Sequence, residues 1–466
     1  LPISFLNLFM KKLLFALFGL LVITSCSKEH EPLPTPQVSI EAPAGTDPTQ
    51  PIALTLGGTL TLKAVSANTD EATYLWEVNN EQVGQAQEYT FTATELGNYI
   101  VNVTVFNAEG TGNTVGCEVT VYGPYHTGTF ILNEGNFTSV PSSLIFIGDD
   151  GQVTESVYTK ANPTRKLGVT AQDMCFFGGK AYILTQNGKK AEGFDGYLTV
   201  TNAETMTYVT DYTNDEFSDL SAPTHLAVVS ADKAYIRDGR AIYVADLKNR
   251  KLNGKIAGSE GALKIKMVNT GSKVYAAAGS KLLVIDPASD AVTKTIDLPG
   301  TSSGIVLGKD GNIWSSCAGT PSYMVQILTA TDAIGVKNEV KDINLSGGWV
   351  PSIGLCASKT DNVLYFWKDE SPDWSHYDYP IYKHDCTTGK TEKFISLSET
   401  AKDGNYLIYG GMGVHPLTNQ LFVNSIKVYG TDYLTNSIHS FSNQGKLVKT
   451  YSDKTSFPAG VFFKTE

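Results

Sequence analysis

The chain has 466 residues, 42% of them hydrophobic and 18% charged, with a net charge of -11. That length exceeds one ordinary hydrophobic core and predicts two domains. The acidic balance excludes the basic footprint of a nucleic-acid binder and gives no attraction to an anionic membrane surface.

Met10-Lys11-Lys12 opens a basic segment, and Leu13 to Ile23 is an apolar run of eleven residues. This reads as a secretory signal peptide, too short to span a bilayer, with Met10 the true start. Ile23-Thr24-Ser25-Cys26 resembles a bacterial lipobox, which implies that Cys26 is lipidated and becomes the mature N-terminus. The charged run Ser27 to Glu31 resembles the surface-export signal of Bacteroidota lipoproteins. Residues 1–25 are therefore assigned to the signal peptide and 26–36 to a Pro-containing tether. The expected location is the outer membrane, lipid-anchored and facing outward.

Residues 37–123 alternate apolar and polar between turn signals, as in Thr59 to Val65 and Tyr99 to Val105. Such patterning predicts an antiparallel β-sandwich. Trp76 in a mid-domain strand and Tyr99 at the entrance to a long strand, in the place of a tyrosine corner, resemble a PKD-type, immunoglobulin-like module.

From residue 127 to 466 a seven-fold echo takes over. Apolar pairs recur at Phe130-Ile131, Ala181-Tyr182, Ala234-Tyr235, Val274-Tyr275, Ile313-Trp314, Leu364-Tyr365 and Leu421-Phe422. Short-strand repeats of this period predict a β-propeller, here with seven blades. Six pairs are preceded by an innermost strand, the fourth by Lys264 to Val268 and the sixth by Ser352 to Ala357. Phe130 has no such partner, whereas Pro458 to Phe463 resembles one and has no strands after it. The C-terminal strand is therefore expected to complete the first blade and close the ring, which removes two exposed sheet edges. The fold class is all-β: sandwich, then seven-bladed propeller.

Short Gly-, Asn- and Asp-rich turns fall on one face, among them Asp149 to Gln152 and Pro287 to Asp290. The other face receives long irregular segments, including Asn133 to Ser142, Gln186 to Gly196, Lys368 to Pro380, Val428 to Asn436 and Leu397 to Gly410. Long loops on a rigid scaffold are where binding residues concentrate. Their chemistry is aromatic: Trp367, Trp374, His376, Tyr377 and Tyr379 form the densest stretch, and Trp349, Tyr406, Tyr409, Tyr429 and Tyr433 lie nearby. With Asn133 and Glu134 these are the candidate ligand-binding residues. Rings with polar tips suit a large amphipathic ligand, a sugar or a protein partner.

No catalytic or metal motif emerges. His225, His415 and Asp173 fall on or near innermost strands without metal-ligand spacing, and each reads as a satisfied polar residue. Lys309 to Asn312 reads as a hairpin turn rather than a calcium loop. Phosphate cradles, nucleophile elbows and HExxH are missing, so no cofactor is expected. Five further cysteines lie far apart, which predicts no disulfide framework.

Ile131 to Phe137 and Lys166 to Met174, followed by Lys180 to Leu184, resemble YncE-like surface propellers of Bacteroidota. The likeness covers most of Thr127 to Glu466. That family includes surface lipoproteins that capture cobalamin and pass it to a TonB-dependent transporter. The resemblance thus implies a non-enzymatic capture module with cobalamin or a similar large nutrient as ligand and such a transporter as partner. Val169 stands where the family pattern carries Asp, and the sandwich is an addition. The alternatives are a glycan-contacting or assembly module and, third, a propeller lyase or lactonase.

Overall fold

The structure is a computed structural model that describes residues 31–464, apart from 69–70, 138–139, 190–191, 240, 347–351 and 374–375. Met10, the signal peptide, Cys26, Trp349 and Trp374 lie outside the described residues. The chain divides into two compact units between Tyr122 and Gly123.

The first unit is a sandwich. One sheet joins Gln37–Glu41, Thr59–Ala67 and Glu88–Thr92, and the other runs Ile52–Thr55, Gly112–Tyr122, Gly97–Phe106, Thr73–Val78, Glu81–Gly84. Alternation puts Leu62, Trp76, Val101, Val103 and Val119 in a dry core. Trp76 spends its one polar atom on the Ala86 carbonyl (2.9 Å), and Tyr99 Oη donates to the carbonyl of Glu95 four residues upstream (3.0 Å). The latter is the bond of a tyrosine corner.

The second unit consists of seven four-stranded antiparallel sheets. Strands are lettered A to D from the channel outward. Blade 4 is typical, with Val268–Asn269, Val274–Ala278, Lys281–Asp286 and Ala291–Asp297. Blade 1 takes its A strand, Pro458–Phe462, from the C-terminus and its others from Gly128–Asn133, Ser143–Gly148 and Val153–Thr154. Val461 pairs with Ile131 and Phe462 with Phe130, so the two ends of the propeller sequence close the ring. The remaining A strands are Val169–Phe177, Pro223–Ser230, Thr301–Leu307, Cys356–Ala357 and Leu407–Val414.

Two expectations shift. The A strands of blades 4 and 6 are only two residues long, because residues 264–267 and 352–355 do not keep ladder pairing. Val428 to Asn436 is mostly strand, not loop: Leu421–Val428 and Asp432–Phe441 extend past the sheet and turn at Gly430. All five described cysteines are free, and burial pushes Cys117 and Cys317 up to about 11 and Cys175, Cys356 and Cys386 up to about 12. They are small hydrophobes rather than nucleophiles.

One polar device repeats between blades. Lys233 Nζ and Tyr235 Oη of blade 3 both bond to Asp290 Oδ1 in the C–D turn of blade 4 (2.8 and 2.6 Å). Lys273 and Tyr275 of blade 4 grip Asp332 of blade 5 in the same way (2.7 and 2.6 Å). The spacing Lys-x-Tyr sets both donors on one side of a strand, since side chains repeat every second residue.

Candidate functional site

Every A strand runs from the long-loop face to the short-turn face, so the loops converge where the A strands begin. There the channel opens into a cavity of about 450 Å³. Its walls differ. Blades 6 and 7 supply Trp367, Tyr379, Tyr409 and Tyr429; Glu134, Gln172, His225 and Lys264 come from the first four blades.

The aromatic wall is built in two parts. Trp367 ends the B strand of blade 6, and its ring lies 5.1 Å from that of Tyr379. Gly354 makes this possible: its φ is +64°, and a Cβ there would stand 2.6 Å from Trp367 Nε1. The following loop folds back on itself through Lys368 N–H to Pro380 O (3.1 Å) and Glu370 N–H to Asp378 O (2.8 Å), which fixes Tyr379 as a buried residue. The second part gathers on Phe457. Tyr433 stacks on it at 3.8 Å, and Tyr409 and Tyr429 sit 5.6 and 5.7 Å away. Tyr429 is 51% exposed and offers a ring to solvent. Gly410 lets blade 7 approach the closing strand, because a Cβ would meet the Pro458 carbonyl at 1.9 Å.

The polar wall centres on Glu134. Its carbonyl accepts the Thr170 N–H (2.9 Å) and its carboxylate accepts Tyr409 Oη (3.3 Å). Burial pushes the carboxyl up to about 7, against the opposing pull of Lys264, Tyr409 and Gln172. Lys264 shifts the other way: poor hydration lowers its pKa, and Glu134 resists. Thr170 is a further anomaly. It is β-branched yet holds a left-handed φ of +60°, and its buried hydroxyl has no partner among the described residues. Strain of this kind concentrates at functional sites.

The sequence-derived candidates separate. Trp367, Tyr379, Tyr409, Tyr429 and Glu134 line the cavity. Tyr377 and Tyr406 pack partly buried against the core shared by blades 6 and 7, as does Tyr433. His376 is exposed and faces Asp373 (2.9 Å). Asn133 is buried, its amide donating to Ser143 Oγ (3.0 Å) and accepting from the Ser456 N–H (3.2 Å), so it ties the closing strand to blade 1. Phe457, Lys264, Gln172 and Thr170 join the site without a sequence motif to announce them.

His225, Asp173 and His415 do not meet. His225 Nδ1 lies 3.4 Å from Asp173 near the loop end of the channel. His415 follows the last residue of its A strand on the turn face. There its Nδ1 accepts the N–H groups of Leu417 and Thr418 (3.3 and 3.2 Å). Among the described residues no group of three His, Cys, Asp or Glu is placed to hold a metal ion.

Residues 127–464 match the family described as Domain of unknown function (DUF5074). The chain belongs to the DUF5074 family. Residues 36–107 match a PKD-like domain. No curated protein matches the chain significantly. Among solved structures, a quinoprotein alcohol dehydrogenase-like protein from Bacteroides thetaiotaomicron aligns over 91% of this DUF5074 chain and 99% of its own, with 18% identity and a TM-score of 0.54. That likeness is one of fold. The Pan2 WD40 domain of Neurospora crassa aligns over 61% of this chain and 79% of its own, at 14% identity and a TM-score of 0.40.

Proposed function

We propose that this protein is a non-enzymatic surface lipoprotein whose propeller captures a large nutrient, cobalamin or a ligand like it, and hands it to a TonB-dependent transporter. The observation that carries this reading is the two-sided cavity: an aromatic wall faces a polar wall holding Glu134 and Lys264. Apolar lining with a few convergent polar groups is the usual make-up of a small-molecule site. Its volume of about 450 Å³ suits a drug-sized molecule or one lobe of a larger one. A larger ligand then rests its remainder on the surrounding loops, where a second protein can reach it. Lipidation at Cys26 would keep the module at the outer membrane.

Retention on immobilised cobalamin, with co-purification of a TonB-dependent transporter from the native membrane, tests the proposal. A wild-type protein that flows through the column removes cobalamin as the ligand. The half-exposed Tyr429 also favours a second reading, a glycan-contacting module, because a tyrosine face stacks on sugar rings. Binding on a glycan array that is lost with Tyr429→Ala, without cobalamin retention, would select it.

A further inference from the structure

The channel holds a second cavity at its other end. It occupies about 480 Å³ on the short-turn face and shares no lining residue with the loop-face cavity. All seven blades contribute to it through the ends of their innermost segments. Partly exposed Phe177, Val268, Leu307, Leu355, Val461 and Phe463 give it an apolar wall.

Beyond its lining, toward the loop face, the charges are matched. Asp173 lies 3.1 Å from Lys266 Nζ and 3.4 Å from His225 Nδ1, and it accepts the Leu226 N–H at 3.1 Å. Burial works against the charged carboxylate, yet these neighbours outweigh it and hold Asp173 below the usual carboxylate range. Lys266 is thereby matched; it also donates to the Met174 carbonyl (3.1 Å) and sits over the Phe462 ring.

Lys359 is the contrast. It lines the cavity rim where the A strand of blade 6 turns, and among the described residues its ammonium donates only to the Leu307 carbonyl (3.2 Å). Among the described residues no carboxylate pairs with it, and none of the described lining residues is acidic. Lys359 is exposed, so water reaches its ammonium, although the adjoining wall lowers its pKa with no acid to counter the shift. A cation at the rim of an apolar tube, with no acid beside it, is matched by an anion carrying an apolar chain.

We infer that the turn-face cavity is a second binding site, which takes a single-chain amphiphilic anion with its alkyl chain in the channel and its carboxylate at Lys359. The three residue steps from Met174 to Phe177 along its wall give a depth of roughly 10 Å, room for most of one medium-length chain but not for a two-chain lipid.

Titration calorimetry of the full chain with decanoate, octanoate and decyltrimethylammonium tests this. Decanoate should bind saturably at one site. Octanoate, shorter by two methylenes, should bind about 15-fold more weakly, since each methylene contributes about fourfold. Lys359→Met should weaken decanoate about fivefold, the upper reach of an exposed ion pair, while leaving the melting temperature in place. Leu355→Trp, which fills the tube, should abolish binding, and Tyr429→Ala on the other face should leave it unchanged. The inference is overturned if decanoate gives no saturable heat, or if Lys359→Met binds it as the wild type does. It is equally overturned if the cation binds as well as the anion, if Tyr429→Ala rather than Leu355→Trp removes binding, or if phosphatidylglycerol vesicles are bound and decanoate is not. None of these outcomes depends on whether the loop-face cavity takes cobalamin.

Discussion

Tyr409 Oη donates to Glu134 Oε1 at 3.3 Å, and this bond joins blade 7 to blade 1 at the mouth of the channel. It sits at the seam where the ring closes, between the aromatic wall and the polar wall. The bond favours the ionised carboxylate, and burial opposes it. Tyr409→Phe should therefore move the Glu134 titration above its present value of about 7. Carboxyl ¹³C shifts followed against pH report the change; an unmoved midpoint contradicts the assigned bond.

Glu134 and His384 pull the pH dependence of stability in opposite directions. The folded protein keeps a proton on Glu134 up to about 7, whereas the unfolded chain releases it near 4.5, so this group costs stability as pH rises between those values. Burial of His384 lowers it to about 4, so the unfolded chain takes up a proton below 6.5 that the folded protein refuses, and stability falls as pH drops from 6.5 to 4. Each slope is at most about 1.4 kcal/mol per pH unit. Denaturant unfolding at pH 4.5, 5.5 and 6.5 should show a steeper acid loss in Glu134→Gln and a shallower one in His384→Gln.

The inter-blade latches make a third prediction. Tyr235→Phe removes one hydrogen bond to Asp290 and should cost about 1 kcal/mol. Asp290→Asn keeps the left-handed turn geometry at φ +53° but removes the charge, at a similar cost. The double variant should cost less than the sum, because one change removes and the other weakens the same contact. Strict additivity in urea unfolding would mean that Tyr235 and Asp290 do not stabilise the fold through their bond to each other.

Ring closure is the fourth. A chain ending at Ser456 loses the whole A strand of blade 1 and leaves Gly128–Asn133 as an unpaired edge. Such edges template aggregation. The truncated protein should elute as aggregates in size exclusion, and a monodisperse, cooperatively folding product would show that closure by the last strand is dispensable.

The ring was legible because its signals are local. A hairpin turn and an apolar pair are each set within a few residues, and the orphan Pro458 to Phe463 stood out against six complete repeats. The site was legible only in part, because facing is decided by register and by neighbours distant in sequence. Asn133 and Glu134 are adjacent, yet one ties the closing strand and the other lines the cavity. Tyr433 and Tyr429 looked equivalent until the hairpin through Gly430 stacked the first on Phe457 and left the second exposed. Lys264 gave no signal as a site residue. It was expected to sit in a strand, and it reaches the cavity because pairing in that blade begins only at Val268.

The central claim is that the loop-face cavity binds a large nutrient of the cobalamin kind. Titration calorimetry of the full chain with cyanocobalamin, run beside Tyr429→Ala and Glu134→Ala, tests it most directly. The account predicts saturable one-to-one binding by the wild type, weakened about tenfold or more by Tyr429→Ala, as expected for loss of an aromatic contact residue. Heatless titrations across all three proteins, or wild-type binding that neither substitution alters, would contradict it.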